Sequence, residues 1–569
     1  MSIREDCGKR WEALKSERTS WLPHWKEISE VLLPRSGRFL PTDQNNGAKR
    51  HRAILDNSGT RALRTLTGGM MAGMSSPARQ WFRLTTSEPT LDENPDVKKW
   101  LGDVTTIMQL VFQRSNVYRA LQTSYEELGA FGTSATILLD DFDNVIHCMP
   151  LTIGEYAIAT DARGTVDTLY REFRMTVSSL VQEFGYGNVS EHVKKLFNDK
   201  EYDKWVTVVN AIEPRYKRDV TKKDAKNMPW RSVYFEARGG GEKLLRESGF
   251  KRFPALCARW NVTGGDIYGT SPGMEALGDL RQLQQQQYYK SKAIAMQADP
   301  PMVAPTDMRD QEASLIPGGI VYADNAGSTG LVRSAVDVKL DITALLADIQ
   351  DVRQRIDAAF YKDIFLMIGQ SQNSRMTATE IAERHEEKML MLGPVLERLN
   401  AELGAPLVKG TFERMAEVGL LPKMPQVLNQ IDLNVEFVSI LAQAQRAVVT
   451  NGIDRFTQNL GTLIAIKPEL ADKFNADYWA DYYADALGID PQLVVGAKDV
   501  ALIRQQRAQA QQAQMQQVEA QAQADVNLKN AKAAQAQSQA QGGVMPSPLA
   551  QAQALQGGLA PSDPMMGGL

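Results

Sequence analysis

At 569 residues the chain is too long for one core and divides into about three to four domains. Its 43% hydrophobic and 23% charged residues describe a folded, soluble protein, with no apolar run near the roughly 18–20 residues that cross a bilayer and no secretory signal in "MSIREDCGKRWEALKSER". The net charge of −4 excludes the basic excess with which a DNA-gripping protein displaces counterions, so the chain either ignores nucleic acid or meets it without holding it.

In chain order, Lys9 to Leu33 reads as an amphipathic helix with Trp11, Leu14, Trp21, Trp25, Ile28 and Leu32 as its apolar set, kinked or divided at Pro23. A second helix spans Ser58 to Met74, where Gly68-Gly69 and Gly73 either weaken it or admit another backbone. Val97 to Phe131 is helical in two pieces, broken near Ser115-Asn116. The period then changes. "SATILLDDFDNVIHCM" reads as two strands around an Asp/Asn turn. Further strands are expected at Trp205–Ile212, Ser232–Ala237 and Phe253–Trp260, with a small helix near Val177–Phe184, so 133–262 forms a β-rich or α+β region.

From Ser271, a capping residue followed by Pro272, a helix runs to Gln297, about 40 Å. Its middle, "RQLQQQQYYK", has Gln284, Gln285, Gln286 and Gln287 on every face. A polar waist of this kind fits a helix that touches copies of itself or lines a wet surface. "ADPPMVAP" stops it, and the Pro/Gly-rich 298–336 contains one strand, "GGIVYAD". A further helix follows from Asp341, with Leu345, Ile349, Val352, Ile356, Phe360 and Ile364 as its stripe. Then comes a polar loop, "GQSQNSR". Thr377 and Glu380 make a capping box for the next helix, which kinks at Gly393-Pro394. Residues 435–489 read as shorter helices. Beyond Val500 the composition turns to Ala and Gln, both good helix formers. Ile503, Ala510, Ala524, Ala531 and Ser538 fall on a seven-residue repeat interrupted by Gln517. The stretch 542–569 is expected to be disordered.

Catalytic chemistry is hard to find. "GGGEK" lacks the spacing of a phosphate-binding loop, and His385-Glu386-Glu387-Lys388 lacks the second histidine of a zinc-protease motif. Cys7, Cys148 and Cys257 are odd in number and widely spaced, which excludes a sequence-evident disulfide framework and suits a reducing cytoplasm. Asp140, Asp141 and Asp143 read as a solvated turn or a cation site. Asp477, Asp481 and Asp485 form an acidic helical stripe. No catalytic, cofactor or metal residues are assigned.

Four stretches carry a resemblance: "GTRALRTLTGGMMAGMSSPARQWFRL" (59–84), "GTSATILL" (132–139), "YGTSPGMEALGDLRQLQQ" (268–285) and "RMTATEIAERHEEKMLMLGPVLERLNAELGAPLV" (375–408). In this order the chain resembles the portal proteins of tailed bacteriophages, more closely the head-to-tail connector of short-tailed, T7-like phages. The resemblance implies a mainly α portal-protein fold with an α+β wing and clip portion. It also implies ring formation, usually by twelve subunits, and a C-terminal Ala/Gln-rich helical extension. The implied map is a wing at 1–270, first stem helix at 271–297, clip at 298–338, second stem helix at 339–367 and tunnel loop at 368–376. A kinked wing helix and following segment at 377–434, crown at 435–499, barrel helix at 500–541 and disordered tail at 542–569 complete it. On this map Gln370, Ser371, Gln372, Asn373, Ser374 and Arg375 face the DNA channel, and Gln284–Gln287 lie between subunits. The implied partners are further copies of the chain (a dodecamer), the terminase large subunit, major capsid and scaffolding proteins, tail adaptor and tail tube proteins, and double-stranded DNA in transit; no membrane is implied. The implied place is the virion's head–tail vertex, after assembly in host cytoplasm. An enzyme of DNA packaging or tail entry, or a scaffold or minor capsid protein without a channel, are the alternatives.

Overall fold

The computed structural model describes residues 2–40, 47–92, 94–222, 224–238, 243–300, 302–304, 320–322, 333–334, 342–371, 392–428, 433–438, 456–464, 466–487, 494–495 and 497–540. It forms two units, Met1–Pro491 and Gln492–Leu569.

The first helix runs Ile3–Arg18, six residues earlier than the apolar pattern suggests, because Ser2 and Glu5 make a reciprocal capping box. The chain breaks at Thr19-Ser20 and resumes as Trp21–Val31. Pro23 therefore divides nothing. It sits in the first turn of the second helix, where a missing N–H leaves no hydrogen bond unmade.

Helix Ile3–Arg18 lies on a five-stranded antiparallel meander built from Tyr156–Thr160, Val166–Thr176, Trp205–Pro214, Trp230–Glu236 and Arg246–Phe250. The strand period of two sorts the side chains. Tyr170, Val209, Ala211, Val233 and Phe235 face Cys7, Trp11 and Leu14. Val208, Phe173 and Tyr234 face the opposite way, onto helices Val177–Phe184 and Glu191–Asn198. Trp11 stacks on Tyr170 at 6.1 Å and donates its indole N–H to Glu172 at 3.3 Å. A second sheet pairs Thr133–Asp141 with Val145–Leu151 on one side and Ala255–Arg259 on the other. The Asp/Asn hairpin thus falls where the sequence puts it, and His147 and Cys148 point to opposite faces. Within 298–336, Met302–Ala304, which lies inside "ADPPMVAP" itself, pairs with Ile320–Tyr322 and Arg333–Ser334 in a small sheet.

The main core joins Trp25, Ile28 and Leu32 to helices Ser58–Met74, Pro95–Arg114 and Val117–Phe131, and then to Leu280, Leu283, Ile349, Val352, Ile356 and Phe360. The helix expected to continue unbroken from Asp341 is divided. Ile342–Ala359 and Lys362–Ser371 meet at Tyr361, which takes φ +51. The break turns Phe365 onto helix Ser58–Met74, and Gly69 is where it lands: a Cβ there would stand 2.3 Å from the Phe365 Cβ. Of the two adjacent glycines, only Gly69 admits this neighbour, since nothing lies within 4 Å of a Cβ on the exposed Gly68. Gly68→Ala is therefore expected to stabilise the chain by up to about 1 kcal/mol through helix propensity. Gly69→Ala should destabilise it by about 1–3 kcal/mol through overpacking. Paired thermal melts check this, and equal shifts would remove the close approach as the cause.

The kink expected at Gly393-Pro394 involves the turn before 392, which lies outside the described residues; 392–399 is helical. A π-turn follows at Asn400–Gly404, just before Pro406. Pro406 has no N–H to donate one turn back, and a widened turn is one way a helix passes such a residue. Leu433–Phe437, where shorter helices were expected to begin, is instead a strand paired antiparallel with Phe82–Thr86. Helix Ala476–Leu487 carries Asp477, with Tyr478 stacked on Tyr482 and Trp479 on Tyr483. The second unit's described structure is one 44-residue helix, Ala497–Ala540, of about 66 Å. Leu502, Ile503, Met515, Val518, Val526 and Leu528 are exposed along it.

Candidate functional site

Ser271 starts the long helical segment, accepting from the Met274 N–H at 3.0 Å while its hydroxyl donates to the Ala130 carbonyl at 2.8 Å. Pro272–Glu275 is a first turn, and Leu277–Ala298 is the helix proper. Leu277, Leu280 and Leu283 bury its first half. The next inward position is Gln284, only 8% exposed. Its Oε1 accepts from the backbone N–H groups of Leu55 and Asp56, at 2.6 and 2.8 Å. Its Nε2 donates to the Asp56 carbonyl at 2.9 Å. One amide thus satisfies three backbone groups of the 54–57 segment.

Asp56 is the second half of this clamp. Its Oδ1 accepts from the Ser58 N–H and hydroxyl at 2.9 and 2.6 Å. Its Oδ2 accepts from Gln287 at 2.9 Å and from Arg353 Nη2 at 2.6 Å. Burial acts to raise its pKa, but the Ser58 and Arg353 hydrogen bonds outweigh this and hold the carboxyl below the usual range. Gln286 donates to Asp348, and Arg355 reaches Asp279 at 3.5 Å, so the first half of helix Leu277–Ala298 is tied to Ile342–Ala359.

Within the chain, Gln284 and Gln287 bond the segment before Ser58 and Gln286 donates to Asp348, partners that a sequence pattern does not display. The expected contact of the run with a neighbouring copy is a matter of assembly that falls to the half-buried and exposed members, Gln285, Gln286 and Gln287. Gln285 is the exposed member, with only a 3.4 Å contact to its own helix's Tyr289. Tyr288 and Tyr289, each 55% exposed, share its outward side. Gln284→Ala is expected to cost about 2–4 kcal/mol, since it leaves the buried N–H and carbonyl of Asp56 and the part-buried N–H of Leu55 without partners. Gln285→Ala should stay within about 0.5 kcal/mol. Urea titrations of the two variants check the contrast, and similar midpoints would refute the clamp.

Of the polar segment 370–375, Gln370 and Ser371 belong to helix Lys362–Ser371. The loop expected to begin at 368 is helical through Ser371, because the break at Tyr361 starts a new helix anchored by the buried Ile364 and Phe365. Gln372, Asn373, Ser374 and Arg375 lie outside the described residues, as do Thr377, Glu380 and His385–Lys388.

The three-aspartate turn is internally occupied. Asp140 accepts from Arg414 at 2.6 Å, and Asp141 accepts from the Asp143 N–H at 2.9 Å and from the Asn144 side chain at 3.3 Å. Among the described residues no group of three His, Cys, Asp or Glu side chains is arranged to hold a metal ion. Asp56 and Arg353 escaped the sequence reading. Asp56-Asn57-Ser58 does carry the Asp-x-Ser signal of a side chain folding onto the next helix start, but nothing in the sequence pairs it with Arg353.

A family model described as "Bacteriophage head to tail connecting protein" matches residues 4–495. The "Probable portal protein" of Bordetella phage BPP-1 is 58% identical over 499 residues, covering 88% of this chain and 90% of that one. The "Portal protein" of Salmonella phage epsilon15 is 43% identical over 507 residues, covering 89% and 91%. The "Portal protein" of Escherichia phage T7 is 23% identical over 445 residues, covering 74% and 77%. The likeness to the T7 protein is thus real but much more distant than the other two.

Proposed function

The chain belongs to the bacteriophage head to tail connecting protein family, and from that premise we propose that it is the structural portal at the capsid's head–tail vertex, a closed ring through which double-stranded DNA is packaged, retained and ejected. The observation that carries this reading is the match itself: it runs from residue 4 to residue 495, so it covers the main unit and not a shared module.

The geometry supports the finer parts. Helices Leu277–Ala298 and Ile342–Ala359 are the two stem helices, and the Asp56 clamp makes them one rigid strut. Tyr288, Tyr289, Ile294 and Leu346 are large apolar side chains on that strut exposed in a single copy. A neighbouring copy would cover them, and a heterologous contact that closes produces a ring. The twelvefold number comes from the family, not from the strut. The segment 298–338 is the clip, which docks the terminase motor and then the tail adaptor. Gln370–Arg375 lies at the channel, where polar side chains with one cation contact phosphates weakly and keep the sliding profile shallow. Helix Ala497–Ala540 exposes its seam from Ile503 to Ala531, and parallel copies held together by the ring would pack these seams into a barrel. The chain performs no catalysis in this reading.

Native mass spectrometry and negative-stain imaging of the purified protein test it. A closed cyclic oligomer is expected, without ATPase or nuclease activity. Only monomer or dimer at micromolar concentration would overturn the portal reading.

A further inference from the structure

A cleft of about 710 Å³ opens between residues 54–58, the start of helix Ser58–Met74 and the two long helices Leu277–Ala298 and Ile342–Ala359. Six charged side chains line it. Four cancel in pairs, Arg353 with Asp56 at 2.6 Å and Lys362 with Asp357 at 2.5 Å. The remaining two, Arg61 and Lys290, are both cations, and neither side chain has a hydrogen bond or ion pair among the described residues. Immediately before the lining residue Ile54, the turn Arg50–Ala53 carries a basic run whose Lys49 and Arg52 are exposed. Uncompensated positive charge therefore collects at one place on a chain whose total is −4.

We propose that this cleft, with the basic turn at its rim, binds the backbone phosphates of double-stranded nucleic acid, as a holding contact separate from segment 370–375. The proposal rests on the portal reading for the reason DNA is near the protein at all. The total charge does not argue against it. Exposed charges are screened beyond about 8–10 Å, so a polyanion responds to the local patch and not to the sum. A single carboxylate would satisfy the cleft and leave the rim unused. A polymer with one charge per about 1.7 Å of duplex axis engages cleft and rim together. Asn57, Ser58, Gln287 and Gln350 add neutral polar groups to the same wall.

The test uses the full-length protein and a short duplex of unrelated sequence, with binding followed by fluorescence anisotropy between about 50 and 200 mM salt. Arg61→Gln/Lys290→Gln should lower the slope of log affinity against log salt by about 2 and weaken binding roughly tenfold at the low-salt end, equally for every duplex sequence. Lys49→Gln/Arg52→Gln, fully on the surface, should act in the same direction even if the cleft variant folds poorly. Lys200→Gln/Lys226→Gln, exposed elsewhere, should not. Unchanged slopes in both the cleft and the rim variants would overturn the proposal. So would inorganic phosphate binding that depends on Arg61 and Lys290 without any duplex binding, which would make the cleft a free-anion site. Loss of oligomers in the cleft variant, with duplex binding by the rim variant unchanged, would put a neighbouring copy's carboxylates there instead. Intact rings with unchanged slopes sink this inference alone, whereas absence of rings sinks the portal reading.

Discussion

Glu402→Ala is expected to destabilise the main unit by about 3–5 kcal/mol, the range for stranding one partner of a buried ion pair. The stranded partner is Arg259, whose side chain is 6% exposed. Glu402 accepts from the Arg259 backbone N–H at 2.9 Å and from Nε at 3.2 Å, and pairs also with Nη2. The guanidinium's other contacts are carbonyls, Gly164 at 2.8 Å and Ile267 at 3.4 Å, which do not balance its charge. Glu402 itself sits in the π-turn Asn400–Gly404. The pair therefore pins strand Ala255–Arg259 to a π-turn within the helical segment 392–418. Glu402→Gln keeps an acceptor and should lose less. Calorimetry on parent, Ala and Gln variants measures both. A loss below about 1 kcal/mol for the alanine variant would mean the pair behaves as a solvent-screened surface bridge.

What the sequence made legible follows from how local each signal is. Helix Ser58–Met74, the break at Ser115-Asn116 and the small helix Val177–Phe184 lie where apolar period and capping place them. The hairpin Thr133–Asp141 and Val145–Leu151 does too, because its turn chemistry is contained in a few residues. Strand Leu433–Phe437 was not legible. Its partner Phe82–Thr86 lies some 350 residues away, and five residues of weak alternation do not separate strand from helix. Strand Arg246–Phe250 contains a glycine and pairs on one side only, so it lacks the β-branched density that marks a central strand. The glutamine run shows the same limit for function. Composition exposed an unusual polar waist, but the partners of its buried member, Gln284, are backbone groups of Leu55 and Asp56, and backbone groups leave no trace in a side-chain pattern. The family resemblance was legible because its matching stretches are spread along the chain. The channel-facing role of segment 370–375 is carried by that resemblance alone.

The clamp and the candidate phosphate cleft share residues, and this gives the two long helices Leu277–Ala298 and Ile342–Ala359 a division of labour. Asp56 neutralises Arg353, and Asp357 neutralises Lys362. These pairs fix helix geometry and leave Arg61 and Lys290 to set the local charge. A ligand at the cleft would thus change electrostatics next to the strut without breaking the hydrogen bonds that hold it.

Glu127→Gln is expected to abolish a pH dependence of stability that the parent shows between pH 4.5 and 7. Glu127 is 2% exposed on helix Val117–Phe131. Burial pushes its carboxyl up from 4.5 to about 7, against the opposing hydrogen bonds from Thr152 and the Ile153 N–H, with a small further push from Glu126. The contacts are structural: Thr152 donates to Oε1 at 2.7 Å, Ile153 N–H donates to Oε2 at 3.0 Å, and Gly37 N–H donates to the same Thr152 hydroxyl at 2.7 Å. The carboxyl so joins one helix, the turn after strand Val145–Leu151 and the 37–38 loop. Between the unfolded and folded values the folded state holds more protons, so stability falls as pH rises. The contribution is fully present below pH 4.5 and is lost by the time pH passes 7, a total of about 3 kcal/mol. Glutamine keeps an acceptor for Ile153 and offers a donor to Thr152, while carrying no charge to desolvate. The variant should therefore match the parent near pH 4.5 and exceed it by about 3 kcal/mol at pH 8. Urea titrations of the two proteins across this range give the difference directly. A parent-minus-variant difference that does not change with pH would mean Glu127 ionises in the fold as freely as it does in water.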